Sequence, residues 1–89
     1  MSRHPKLTQA KKDLLYKKGF DHFNKGQFYE AHEEWEKIWL AETGDNKLFY
    51  QGLIQIAAGC HHLKKNKMKP ALNCLKKGIE KLSRYPHKS

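Results

Sequence analysis

The chain has 89 residues, 38% of them hydrophobic, enough for one compact domain with a single core and too few for two cores that would each fold alone. Lys and Arg number 18 against nine Asp and Glu, for a formal charge of +9, while the charged fraction of 30% is near that of ordinary globular chains. The excess is therefore one of sign, and with four Phe, four Tyr and two Trp the composition excludes an acidic solvating tail and a wholly disordered segment.

Helical periodicity dominates from Thr8 to Tyr85 and no run alternates long enough for a strand, so the predicted fold is all-α: a compact bundle of four main helices in a single domain over residues 8–85. Residues 1–7 and 86–89 read as frayed tails. The opening MSRHPKLTQAKKD lacks an apolar h-region, so no secretory leader is read and the cytosol is the expected compartment. Helix 1 is expected from an N-cap at Thr8 to about Asn24, where Lys25-Gly26 stops it; Leu15, Tyr16, Gly19, Phe20 and Phe23 share its apolar side. Helix 2 runs from about Phe28 to Ala41 and ends in the turn formers Thr43-Gly44-Asp45-Asn46. Helix 3 is expected from about Lys47 to Lys65. Helix 4 starts near Lys69, with Pro70 suited to its first turn, and runs to about Arg84, where Pro86 ends it. The longest stretch without a formal charge, Leu48 to Leu63, has 16 residues and is too short for a membrane span. Cys60 and Cys74 have no CxxC partner and read as small buried thiols.

Sliding the chain over itself by 40 residues aligns Gly19 with Gly59, His22 with His62, Lys25 with Lys65, Gly26 with Asn66, Phe28 with Met68 and Ala31 with Ala71. Each half then reads as a helix, a turn holding a residue tolerant of positive φ, an apolar anchor and a second helix whose Ala permits close approach. Two helix-turn-helix hairpins are implied, similar to tetratricopeptide hairpins although that repeat is about 34 residues. With only two units, the expectation is a bundle closed on itself.

On helix 2, Phe28, Ala31, Trp35, Ile38 and Trp39 take one face and Glu30, Glu33, Glu34 and Lys37 the other. His32 and Glu36, four residues apart, sit at the margin of the aromatic face as a partly buried polar pair. Helix 3 is apolar or small around most of its circumference, yet Gln51, Gln55 and His62 project within about 40° of one another. With Ala58 and Gly59 between them, they leave room for another backbone, for water or for a ligand. A polar stripe on a buried helix needs partners, and antiparallel packing would bring it to His32, Glu36 and Glu33. Two readings stand: an interhelical hydrogen-bond network that fixes register, or a site. As a site, imidazole and carboxylate on facing helices suit a divalent transition metal, with His32, Glu36 and His62 as its candidate ligands. A small polar ligand beside Trp35 and Trp39 fits as well. His22 and His61 read as rim residues. No phosphate loop, nucleophile elbow or Cys-His arrangement is present in the sequence, and an enzyme using Glu36 as base with His32 or His62 as acid has no motif behind it.

Charge is unevenly spread. Residues 28–46 hold six acids and one base, a net of −5, and the rest of the chain holds +14. Lys64, Lys65, Lys67, Lys69, Lys76, Lys77, Lys81 and Arg84 form a basic patch over helix 4 and the turn before it. Such a surface could dock an acidic macromolecule or make nonspecific, salt-sensitive contact with nucleic acid, or it could simply be a solvated face.

The strings Phe23-Asn24-x-Gly26-x-Phe28-x-Glu30-Ala31-His32-Glu33-x-x-Glu36-x-x-Trp39 and Gln51-Gly52-Leu53-Ile54-Gln55-x-Ala57-Ala58, with His62, resemble the domain-of-unknown-function family 309 over about residues 14–82. That resemblance implies a compact all-α domain of prokaryotes and plastids with no settled activity. It carries the family pattern onto His32, Glu33, Glu36, Trp39, Gln51, Gln55 and His62. Gly59 departs from it, where a larger or Ala residue is commoner, which is expected to leave space beside Gln55 and His62. The Asn66-Lys67-Met68-Lys69 turn is also poorer in Gly than the family's. The combined expectation is a non-enzymatic module binding a small ligand or metal ion through those seven residues. The alternative is a protein or RNA adaptor using helix 4, the polar cluster being structural.

Overall fold

Where the hydroxyl of Thr8 accepts a hydrogen bond from the Lys11 amide at 3.1 Å, the first helix begins. The computed structural model describes residues 7–85, and α1 spans Gln9–Asn24, α2 Phe28–Ala41, α3 Gly44–Lys64 and α4 Met68–Arg84. Among the described residues there is no strand, and no helix is long and apolar enough to cross a membrane. The tails assigned to residues 1–6 and 86–89, and Pro86 as the stop for α4, lie outside the described residues. Leu7, read as tail, packs on the core.

Three of the four helices match their expected bounds to within a residue. The third starts three residues earlier than Lys47, because Thr43 takes the extended N-cap conformation, Gly44 redirects the chain at φ 63°, and Asp45 and Asn46 wind into the first turn. Asp and Asn suit a helix start as well as a turn, and Asp45 places a carboxylate at the positive end of the helix. The local sequence therefore could not separate the two.

The 40-residue repeat is a structural one. Gly26 (φ 77°) and Asn66 (φ 61°) occupy the left-handed position after α1 and α3. Around them the same bonds close: Gly26 N to Phe23 O at 3.0 Å and Gln27 N to His22 O at 2.8 Å, then Asn66 N to Leu63 O at 2.9 Å and Lys67 N to His62 O at 2.8 Å. Both are Schellman turns, which satisfy the last carbonyls of the preceding helix. They send α2 back along α1 and α4 back along α3.

Trp35 is the centre of the first hairpin. Its ring lies directly on Gly19, Phe20 meets it edge-on at 4.8 Å, and its Nε1 donates to the Tyr16 carbonyl at 3.3 Å. Forty residues on, Leu75 lies on Gly59 in the same way. The core is Leu15, Ala31, Trp35, Ile38, Leu53 and Ala57, with Phe20, Phe23, Phe49, Tyr50, Ile54 and Leu82 against it. Ala31 and Ala71, the aligned small residues, are both fully buried.

Extensive contacts join α1 to α2, α2 to α3 and α3 to α4, and no comparable interface closes α4 onto α1 among the described residues. The closed arrangement expected of two units is therefore open at its ends. Each helix packs on its chain neighbours, as in a stacked helical repeat. Cys60 and Cys74 are free and half-buried, more exposed than expected, and burial raises the Cys60 thiol pKa.

Candidate site between helices 2 and 3

The hairpins meet along α2 and α3, and Lys47 sets the register at one end. Its Nζ donates to the Trp39 carbonyl at 2.9 Å, near the C-terminus of α2, and lies 4.0 Å above the Trp39 ring. A cation is favoured there both by the exposed carbonyls of the helix end and by the indole face. At the other end Lys64 Nζ donates to the Gly26 carbonyl at 2.8 Å, tying the tip of the first hairpin to α3. Lys64, read as part of an interaction surface, therefore makes an intramolecular strut.

Between these anchors lie two adjoining clefts of about 200 Å³ each. Glu36, Trp39, Gln51, Ile54 and Gln55 line the first. Phe28, Tyr29, His32, Ala58, His61 and His62 line the second. The antiparallel packing thus faces the two polar stripes toward one another, but it divides them: Glu36 goes with the glutamines and His32 with His62.

The ligating atoms of His32, Glu33 and Glu36 all lie within 4.8 Å of one another. His62, a candidate metal ligand from the sequence, is not in this group and sits instead on the far wall of the second cleft. Glu33 replaces it, since residues one and four positions from His32 can turn their side chains toward the same imidazole. Glu33 also lies by Tyr29, and the hydrogen bond and negative charge of its carboxylate raise the Tyr29 phenol pKa.

Buried polar atoms nearly always find partners. In this groove three do not: His32 Nδ1, Trp39 Nε1 and Gln55 Oε1 are buried without a hydrogen bond, and all three belong to residues that the sequence pattern singles out. Glu33 Oε2 lies 4.0 Å from His32 Nδ1, beyond hydrogen-bonding reach.

Four details differ from what the sequence leads one to expect. The wheel puts His61 at the rim, yet its ring lines the second cleft 5.8 Å from Tyr29 and 6.2 Å from His62. Tyr29 has no place in the sequence-derived constellation, although it covers His32 with rings 6.1 Å apart and nearly parallel. Their only sequence signal is adjacency to His32 and His62, and the tilt between α2 and α3 decides which neighbours enter. Gly59 adds no space beside Gln55 and His62: a Cβ there would come within 2.6 Å of Leu75 Cγ, so the missing side chain serves the approach of α4. Glu34 lies on no solvated face; its side chain is 13% exposed, with His22 Nε2 at 3.6 Å and Lys37 Nζ at 3.3 Å. His22 stays at the rim, with Gln27 Oε1 2.7 Å from its Nδ1.

Fold and groove together define a small helical-repeat protein, two Schellman-turn hairpins in register with a polar cleft along their junction. The chain belongs to the family described as Domain of unknown function (DUF309), whose model it matches over residues 16–74. It is 32% identical over 65 residues to an uncharacterized protein of Aquifex aeolicus (strain VF5), an alignment covering 72% of this chain and 20% of that protein. The matched part of this chain thus spans about a fifth of the length of that relative. No solved structure matches the chain.

Proposed function

We propose that the protein is a non-enzymatic binding module whose ligand, a divalent transition metal ion or a small polar molecule, enters the groove between α2 and α3. The observation that carries this reading is the set of three unpartnered buried atoms at the α2–α3 junction, His32 Nδ1 in one cleft and Trp39 Nε1 and Gln55 Oε1 in the other. Each costs about 1–3 kcal/mol if nothing meets it, and a purely structural network would have given each of them a partner. They offer an imidazole nitrogen, an N–H donor and a carbonyl acceptor. His32 with Glu33 and Glu36 has the donor set of zinc, manganese or ferrous iron and leaves coordination positions open. In this reading Gln51, Gln55 and Trp39, which line the adjoining cleft, would hold an organic ligand alongside.

The test is metal analysis of protein purified without a histidine tag, then thermal shift with zinc, manganese and ferrous ions and with a panel of small polar metabolites. A ligand at a hundred times its Kd stabilises by about 2.7 kcal/mol, which for a domain of this size raises Tm by about 10–20 °C. His32→Ala and Glu36→Gln should abolish a metal-induced shift, and Gln55→Met one from an organic ligand. If no metal copurifies and neither ions nor metabolites move Tm, the groove is a structural junction.

A further inference from the structure

The repeat extends to the outward surface of each hairpin's second helix. On α2, Phe28, His32 and Trp39 fall within about 40° around the helix axis, and this is the sector that faces α3 across the two clefts. Forty residues later the same sector of α4 holds Met68, Leu72 and Ile79. These are 58, 57 and 60% exposed, the three most exposed large apolar side chains among the described residues. The rest of the apolar arc of α4, Ala71, Leu75, Gly78 and Leu82, is directed at α3, where Gly59 receives Leu75 and Gly52 receives Leu82. So α4 carries a second apolar stripe, in the position where α2 receives a helix, and no described element covers it. The substitutions between units point the same way. His32 and Glu36, which make the α2 sector polar, become Leu72 and Lys76, and Trp39 becomes Ile79.

We infer that the Met68-Leu72-Ile79 stripe is a docking face for an amphipathic helix of another protein, one with apolar residues spaced three and four apart and acidic residues beside them. The charge along the stripe selects this occupant. Lys69 and Lys76 border its solvent edge, and α4 as a whole carries five basic residues and one acid, Glu80. A second copy carries the same net +9 and, docked through α4 or α1, sets like charges together, since α4 brings the same lysines and α1 brings Lys11, Lys12, Lys17 and Lys18. Phosphate contacts gain nothing from Leu72 and Ile79, and the stripe holds no aromatic ring on which single-stranded bases would stack. Of the basic residues read from the sequence, Lys77 and Arg84 point away from the stripe and Lys81 is half-buried. The face is thus narrower than the patch and more apolar.

The experiment uses the full chain and two designed helical peptides of about 16 residues that share one leucine stripe, flanked by glutamates in one and lysines in the other. Fluorescence anisotropy at low salt should show the glutamate peptide binding at least about tenfold tighter. Leu72→Asp with Ile79→Asp should weaken it by about tenfold or more while lowering Tm by only a few degrees, both positions being exposed and the cost being mainly one of helix propensity. Lys76→Glu, which leaves the stripe intact, should weaken it severalfold, and His32→Ala should leave it unchanged. Equal binding of the two peptides, no binding at millimolar concentration, or indifference to the Leu72 and Ile79 changes would each overturn the inference. A dimer in light scattering that those changes dissolve would overturn it in favour of a second copy. Oligonucleotide binding that needs Lys76 but not Leu72, in place of peptide binding, would overturn it in favour of nucleic acid.

Discussion

Gly19→Ala tests the junction on which the whole arrangement depends. A Cβ at this position falls inside the indole of Trp35, with Cδ1 and Cε2 only 2.5 Å away. The nearest ring atom is Nε1, and to restore ordinary contact the ring must retreat by roughly 1.5 Å, but it is 1% exposed and held between Phe20 and Phe23 at 4.8 and 6.0 Å. Overpacking of this severity costs about 3 kcal/mol, and displacing the ring also weakens the Nε1 bond to the Tyr16 carbonyl, about 1 kcal/mol more. Replacing Gly by Ala inside a helix returns about 1 kcal/mol. The net loss is about 3 kcal/mol, which lowers Tm by about 12–24 °C in a domain of this size. The matched control is Gly59→Ala, where the obstacle is the smaller, half-buried Leu75, whose side chain can yield but whose backbone nitrogen stays 3.1 Å from the new Cβ; its net loss should be about 1–2 kcal/mol. Thermal unfolding followed by circular dichroism, with urea titration for the free energies, measures both. A Gly19→Ala protein as stable as the parent, or one less affected than Gly59→Ala, would refute the close-packing account of the repeat.

Gln55→Met removes the unpartnered Oε1 and keeps the volume, so it should stabilise the ligand-free protein by about 1 kcal/mol in urea titration; a loss instead would mean that the amide is already satisfied. Asn66→Gly should raise stability by a few tenths of a kcal/mol and Asn66→Ala lower it by about 1 kcal/mol, because φ there is 61°; equal melting temperatures for the two would contradict the turn geometry. Burial pushes the Tyr50 phenol up to about 12 from 10.0. An acid that holds its proton more tightly when folded loses stabilisation once the unfolded chain begins to ionise, so Tyr50 contributes a fall in stability from pH 10 toward pH 12. Tyr50→Phe should flatten that part of the alkaline unfolding curve, and an unchanged difference between the two proteins across that range would refute it.

Much of this architecture is legible in the sequence because it is written in short-range terms. The helix bounds come from Thr8, Lys25-Gly26 and Pro70, residues whose conformational preferences act within a turn. The repeat is visible because Gly26 and Asn66 answer the same backbone demand. The stripe of Gln51, Gln55 and His62 is visible because helical geometry alone orders side chains around an axis. The start of α3 is not, since Thr43-Gly44-Asp45-Asn46 suits a turn and a helix N-terminus equally. His61 escapes because wheels locate a residue on its own helix and contain nothing about the tilt of the neighbour, whereas Tyr29, three residues before His32 on the same helix, lies within reach of that geometry.

By itself, then, the sequence determined that this is a two-hairpin helical protein of the DUF309 family with His32, Glu33, Glu36, Trp39, Gln51, Gln55 and His62 as its polar constellation. Tertiary structure alone decided how that constellation is shared out: Glu36 with the glutamines, His32 with His61 and His62, and Glu33 in place of His62 beside His32 and Glu36. It alone decided that Gly59 opens onto α4 and that one apolar stripe of α4 is left uncovered. The reason is physical. Periodicity and turn chemistry depend on the chain's own backbone, whereas the distance between two side chains on different helices depends on crossing angles and axial shift, set only when Trp35 and Leu75 settle onto their glycines.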